Sequence, residues 1–221
     1  SHAGKDAASQ RYIFTKLGPL TSSMFSTLDN PLLKHAYDDG QKVEYEHYIP
    51  IVPTVLINGM TAIGTGWSSN IPTFNLLEII HKLKLLLVND LEEFELYQLK
   101  PYYHGFKGTI RSADDTTTNK FISQGTFEVK HLKNNKILHV ITEIPVDMTI
   151  DGYKSFLESK LEQKLIKDLK NNSTANDPYF EFVCLKDFHP DDFKLSSTIS
   201  LTNMVLFNSK GKIEKYKSVD D

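Results

Sequence analysis

Apolar residues recur at helical spacing in two stretches of this chain and alternate with polar residues in several shorter ones. Leu76, Ile79, Ile80, Leu83, Leu86 and Leu87 fall on one face of a predicted helix. Asn75 stands where a cap belongs, Glu78 follows three positions on as a capping box, and Ile71-Pro72 precedes. A second helix is predicted from Gly152 to Leu169, carried by Phe156 or Leu157, Leu161, Leu165 and Leu169 and stopped at the polar Asn171-Asn172-Ser173. Short strands are predicted at Arg11 to Lys16, where Tyr-Ile-Phe-Thr is rich in β-formers, and at Gly108 to Arg111, Lys120 to Ser123, Thr126 to Lys130, Lys136 to Ile144 and Tyr179 to Leu185. Asn134-Asn135 is placed to turn one pair of them. Met204 to Phe207 and Lys212 to Tyr216 read as a hairpin around Ser209-Lys210-Gly211. Nearer the start, Gly18-Pro19 breaks the first strand, Leu20 to Leu28 reads as a helix, Asp38-Asp39-Gly40 as a turn and Lys42 to Tyr48 as extended. Between Pro50 and Pro72 lies an apolar, glycine-punctuated segment that marks a domain junction. Antiparallel pairs with helices laid against them make α+β the expected class.

Composition narrows the function. The 221 residues allow one large or two small domains with a real core. A net charge of -3 excludes a protein that grips nucleic acid by bulk charge alone. The first fifty residues do not reverse this: Lys5, Arg11, Lys16, Lys34 and Lys42 face Asp6, Asp29, Asp38, Asp39, Glu44 and Glu46. Any nucleic-acid contact must therefore be local. Cys184 is the single cysteine, so no disulfide framework exists, a reducing compartment is expected, and an alternating apolar setting makes it a buried thiol. The start lacks the basic and apolar regions of a signal peptide, and the run around Leu83 to Val88 is too short to span a membrane. An abrupt start and a charged tail raise the expectation of a piece of something larger.

The candidate chemistry is near the beginning, in Lys5-Asp6-Ala7-Ala8-Ser9-Gln10-Arg11-Tyr12. The chain has 23 lysines and two arginines, Arg11 and Arg111. Arginine in so lysine-rich a sequence points to a task lysine performs poorly, such as a planar bidentate grip on phosphate. Tyrosine can act as a covalent nucleophile, although with an ordinary pKa of about 10 roughly one molecule in a thousand is ionised at neutral pH. A neighbouring cation would help, and would also neutralise a phosphate under attack. The plainer alternative is a half-buried strand tyrosine beside a solvated cation. The eight histidines show no metal-binding spacing. Asp38-Asp39 and Asp191-Asp192 read as turn and surface pairs. Gly64-Thr65-Gly66 is not a dinucleotide fingerprint, because Ser69 occupies the third glycine position and the βαβ context is wrong.

The ordered series of segments resembles one family. Lys5-Asp-Ala-Ala-Ser followed by Arg11-Tyr12 is similar to the active-site tyrosine segment of type IIA DNA topoisomerases. Tyr48-Ile-Pro-Ile-Val-Pro53 with Val55-Leu-Ile-Asn-Gly59, then Ile63-Gly-Thr-Gly-Trp-Ser68 with Ile71-Pro72, resemble the segments that follow it. Phe106-Lys-Gly-Thr-Ile110, Glu143-Ile-Pro145 and Met204-Val-Leu-Phe207 continue the series over nearly the whole chain. Each segment alone is modest; their colinear order is specific. The Gly-Thr-Gly-Trp form resembles the eukaryotic and large-virus enzymes more than gyrase. Gln10 departs from the family, where proline or a small residue is common, and alters the stiffness of the loop before Tyr12.

The resemblance implies the following expectations. Residues 1-50 would be the distal part of a winged-helix domain carrying the catalytic tyrosine, and 51-221 a mixed α/β tower domain ending before the exit-gate coiled coil. Tyr12 would attack a DNA phosphate and leave a 5′-phosphotyrosyl link, Arg11 would stabilise the pentacovalent phosphate, and Lys5 would lie near the DNA backbone. Ile63 would wedge between base pairs and bend the duplex, with Gly64 and Gly66 letting the backbone come close. No metal-ligand set is assigned to this chain: Mg2+ and ATP would be bound by parts of the parent enzyme outside it, and the chain alone would be inactive. The partners would be double-stranded DNA and, in the parent enzyme, a second copy as a homodimer, with no membrane and a nuclear location. The competing expectations are a non-catalytic DNA-bending or scaffold module and a gyrase-like fragment of the A-type chain.

Overall fold

A computed structural model describes residues 8–114, 119–133, 136–185 and 190–221. The chain begins with a single 3-10 turn at Gln10–Tyr12, then α1 (Thr21–Met24) and a longer 3-10 segment, Thr27–Leu32. The strand expected from Arg11 to Lys16 does not form. Tyr12, Phe14 and Leu17 are 72%, 103% and 82% exposed, and a β preference is realised only on a surface that packs. The helix expected over Leu20 to Leu28 shortens to α1, because Ser26 turns extended and accepts the Leu28 N–H to cap the next turn. β1 (His35–Asp38) and β2 (Gln41–Tyr45) form a hairpin about Asp39 and Gly40, both at positive φ, as the Asp38-Asp39-Gly40 turn requires. No described side chain before Val52 is buried.

α2 (Thr54–Asn58) ends at Gly59, at φ 67°, where a Cβ would stand 2.9 Å from the Ile71 carbonyl oxygen; that corner requires glycine. β3 (Met60–Gly64) and β4 (Trp67–Ile71) follow as an antiparallel hairpin. α3 (Leu76–Leu87) starts where the sequence places it, with the Asn75 side chain accepting the Leu77 N–H at 2.8 Å. Its buried face is narrower than the apolar pattern implies. Ile79 and Lys82 are buried, whereas Leu76, Leu86 and Leu87 are exposed. Lys82 is accommodated by donating to the Tyr97 carbonyl at 2.7 Å, pairing with Asp220 at 2.6 Å and lying over the Phe94 ring of α4 (Leu91–Leu96).

The remaining strands build two larger sheets and a hairpin. β5 (Thr109–Ser112) and β6 (Lys120–Gln124) pair directly. β7 (Thr126–His131) pairs with β8 (Ile137–Glu143); the Asn134-Asn135 turn expected between them lies outside the described residues. α5 spans Ile150–Glu162, capped by Thr149 through the Gly152 N–H. It is shorter than the helix expected to reach Leu169. Lys164 takes a left-handed φ of 58°, and the chain then turns into β9 (Ile166–Asn171) alongside β10 (Phe180–Cys184). Leu165 and Leu169 sit at helical spacing, yet they pack on the sheet core from outside the helix. β11 (Ser196–Ser200) joins the first sheet, and β12 (Met204–Phe207) with β13 (Ile213–Tyr216) forms the predicted terminal hairpin. The two larger sheets have the orders β7-β8-β10-β9 and β11-β6-β5, all neighbours antiparallel.

Each sheet has its own core. α5 lies on the four-stranded sheet, where Ile141, Tyr153, Leu157, Phe180, Phe182 and Phe193 are fully buried and the Tyr153 hydroxyl donates to the Phe193 carbonyl at 2.8 Å. The three-stranded sheet packs with the β3–β4 hairpin, α3 and β12 through Ile71, Phe74, Ile79, Phe121, Ile199, Leu201 and Met204. The Ser123 hydroxyl accepts the Val146 N–H, and the buried Glu143 carboxylate accepts the N–H groups of Lys107 and Ile144, joining the two units.

Candidate functional site

The expected site residues fall in two places. Arg11 and Tyr12 share the 3-10 turn, whose Tyr12 N–H donates to the Ser9 carbonyl at 2.9 Å. The turn holds the Arg11 guanidinium 5.0 Å from the centre of the Tyr12 ring, within cation–π range. Both side chains face solvent, so the phenol hydroxyl and the cation are open to a ligand together. Two other tyrosines are less suited. Tyr153 is buried, committed to Phe193, and burial pushes its phenol upward; Tyr103 is raised for the same reason, with the Asp147 charge adding to it. Burial also pushes the Cys184 thiol up to about 11, which leaves it protonated and unreactive at neutral pH. Lys5 lies outside the described residues.

Ile63, Gly64 and Gly66 are together at the end of the β3–β4 hairpin. Ile63 opposes Ser68, Gly64 opposes Trp67, and Thr65-Gly66 makes the turn, with Gly66 at φ 76°. Ile63 is 90% exposed, so it is a projecting apolar side chain and not part of the core. At Gly64 a Cβ would meet nothing nearer than 3.9 Å, so the fold itself does not need a glycine there.

Two features of this place were not legible in the sequence. The first is the support of the hairpin by β12. Asn203 accepts the Asn70 N–H at 2.8 Å, its side chain donates to the Ser68 hydroxyl at 3.1 Å, and the buried Ser69 hydroxyl accepts the Val205 N–H at 3.1 Å. These residues lie more than 130 positions apart, and no local pattern links them. The second is an apolar cleft of about 430 Å³ beneath Ile63, lined among others by Trp67, Phe207 and Ile213. Trp67 and Phe207 are 52% and 72% exposed. The alternating apolar pattern signals strands here without telling that both rings stay open.

Among the described residues, no group of three or more His, Cys, Asp and Glu side chains converges as a metal site would require. No helix among them is long and apolar enough to cross a membrane.

An exposed tyrosine–arginine pair and an exposed apolar hairpin tip, set on a mixed α/β scaffold in this order, define the chain's class: it belongs to the DNA gyrase/topoisomerase IV A-subunit family, whose signature spans residues 1–221. Within that family it is similar to proteins named DNA topoisomerase 2. It is 37% identical over 226 residues to that of Plasmodium falciparum, covering 97% of this chain and 15% of the relative. It is 36% identical over 219 residues to that of Invertebrate iridescent virus 6, covering 98% of this chain and 19% of the relative. It is 38% identical over 234 residues to DNA topoisomerase 2-alpha of Gallus gallus, covering 100% of this chain and 14% of the relative. A solved structure of the Plasmodium falciparum topoisomerase II DNA-binding, cleavage and re-ligation domain superposes with a TM-score of 0.80 at 36% identity, over 98% of this chain and 30% of that one. The chain thus spans less than a fifth of the length of these curated relatives.

Proposed function

We propose that this chain is the strand-breaking and DNA-bending part of a eukaryotic-type DNA topoisomerase II. The observation that carries the reading is Tyr12: its phenol is solvent-facing and its ring lies 5.0 Å from a guanidinium, in a chain similar over nearly its whole length to DNA topoisomerase 2. Residues 1–50 act as the distal winged-helix segment and residues 51–221 as the tower domain.

In the proposed reaction the Tyr12 hydroxyl oxygen attacks phosphorus in the DNA backbone. A P–O bond to tyrosine forms, the P–O3′ bond breaks, the phenol proton is lost and the 3′ oxygen leaves as a hydroxyl. One phosphodiester replaces another, so the 3′ hydroxyl can reverse the step and reseal the strand without an outside energy source. Arg11 meets the negative charge that grows on the non-bridging oxygens. Lys5 holds backbone nearby. Ile63 enters a base step and bends the duplex, and the bare backbone at Gly64 and Gly66 allows it to sit close. The described residues do not offer a ligand set for a catalytic divalent cation. Magnesium and ATP are bound by other parts of the complete protein, which acts as a homodimer in the nucleus.

The test is covalent capture. Tyr12→Phe in the complete gene product loses all denaturant-resistant protein–DNA linkage and keeps noncovalent binding to duplex DNA. Linkage that persists in the variant refutes the assignment. The 221-residue chain alone, given magnesium and ATP, leaves supercoiled plasmid unrelaxed; relaxation would refute the division of labour.

A further inference from the structure

The terminal hairpin has no role in the function described so far, yet it stands beside the proposed wedge. β4 runs away from the Thr65-Gly66 turn, and β12 runs toward its own turn at residues 208–212. The contacts match in opposite order: Asn70 meets Asn203 and Ser69 meets Val205, while Trp67 and Phe207 line one cleft. Both turns therefore emerge at the same end. One tip carries Ile63; the other carries Lys210 and Lys212.

That second tip is organised. The Asn208 side chain accepts the N–H groups of Lys210 and Lys212 at 3.0 and 3.1 Å and donates to the Glu214 carboxylate at 2.9 Å. Backbone bonds from Asn208 N to the Lys212 carbonyl and from Gly211 N to the Asn208 carbonyl close the turn, with Gly211 at φ 70°. Lys210, Lys212 and Lys215 are all exposed, and none pairs with a carboxylate among the described residues. Glu214 is the hairpin's acidic residue and is engaged by Asn208. A chain of net charge -3 thus concentrates three cations against one anion on the hairpin next to its apolar tip.

We propose that the Asn208–Lys212 turn grips phosphates of the duplex that Ile63 enters, with Lys210 and Lys212 as the contacting cations. The pairing of functions is physical: an apolar wedge needs a backbone hold beside it, or the duplex relieves the strain by moving off. The proposal rests on the DNA-bending reading above.

The experiment measures duplex-DNA affinity of the complete gene product from about 50 to 200 mM salt, together with the bend angle from fluorescence transfer between labelled duplex ends. Lys210→Gln/Lys212→Gln weakens binding equally on unrelated sequences and flattens the slope of log affinity against log salt by about 2, from roughly 0.9 per lost phosphate contact. Lys210→Arg/Lys212→Arg restores the slope. Ile63→Ala lowers the bend and leaves the slope as it was. An unchanged slope in the glutamine variant, with the bend still lost in Ile63→Ala, overturns the phosphate grip and spares the wedge. A bend unaffected by Ile63→Ala overturns the wedge as well. Both lysines are exposed, so a thermal midpoint equal to that of the parent is the folding control in every variant.

Discussion

Ile63→Ala separates packing from recognition at one position. The side chain is 90% exposed, on an edge where a methyl and an ethyl group touch almost nothing that is buried. Its removal should change folding stability by no more than about 0.5 kcal/mol. The same truncation at Ile141, which is fully buried in the four-stranded sheet, should cost about 2–5 kcal/mol. Against DNA the order reverses. An isoleucine moved from water into a base step contributes roughly 1.5–3 kcal/mol, set against an unstacking cost of a few kcal/mol. The two terms nearly offset, so affinity for Ile63→Ala should fall by about tenfold or less, while the bend, which requires the wedge, collapses. Thermal unfolding with and without labelled duplex reads both quantities in one protein. A loss of more than about 1 kcal/mol in stability with an unchanged bend would make Ile63 a lid on the apolar cleft and end its role as a wedge.

Three further outcomes test the scaffold. Tyr153→Phe removes the hydroxyl that donates to the Phe193 carbonyl in a fully buried site, and should cost about 1–3 kcal/mol in denaturant unfolding; a neutral result would mean water replaces the bond. Asp220→Asn strips the buried Lys82 of its counter-ion and should destabilise more than Lys82→Met, which leaves Asp220 facing solvent; the opposite ranking would show that the ion pair is incidental. His139 is buried among Phe127, Phe182 and Phe193, and burial lowers its pKa from the ordinary 6.5. The unfolded chain then binds a proton more readily than the folded one, so this contribution is complete above about pH 6.5 and is lost as the pH falls from there through the folded value. His139→Leu should flatten that limb of a stability-versus-pH curve, and an identical limb in the variant would assign it to other groups.

The elements that the sequence revealed are those whose signals are local. Asn75 needs only its own turn to cap α3, and the pairing of Met204–Phe207 with Ile213–Tyr216 is set by the turn between them. The misread elements depend on distant partners. Arg11 to Lys16 has strand-forming residues and no strand beside it, so it stays a 3-10 turn and open chain. Leu165 and Leu169 keep helical spacing, but β10 offers Ile166 to Asn171 a ladder of backbone bonds, and a left-handed Lys164 releases the chain to take it. β3, β4 and β11 were missed because small and polar residues such as Thr61, Ser68, Ser197 and Thr198 carry little apolar alternation. Lys82 sits one position from the apolar stripe and is buried because Asp220, at the far end of the chain, reaches it. At the site, Tyr12, Arg11 and Ile63 were legible as residue types in ordered segments. The side-by-side arrangement of the two hairpin tips was not, since it is made by Asn203 and Ser69 with partners more than 130 positions away.

The absence of any buried described side chain before Val52 bears on how the proposed nucleophile is aimed. Backbone amides there have few shielding neighbours, and should exchange hydrogen for deuterium orders of magnitude faster than those of β8 and β10, whose opening is tied to unfolding of the four-stranded core. A hydroxyl carried on a segment with so little packing is not held by the fold in line with any one phosphorus atom. In-line attack is worth several powers of ten in rate when geometry is fixed beforehand, so in the proposed reaction the DNA and the rest of the complete protein supply that fixing. In the proposed reaction the tyrosine supplies reactivity, and its aim is set by what it meets.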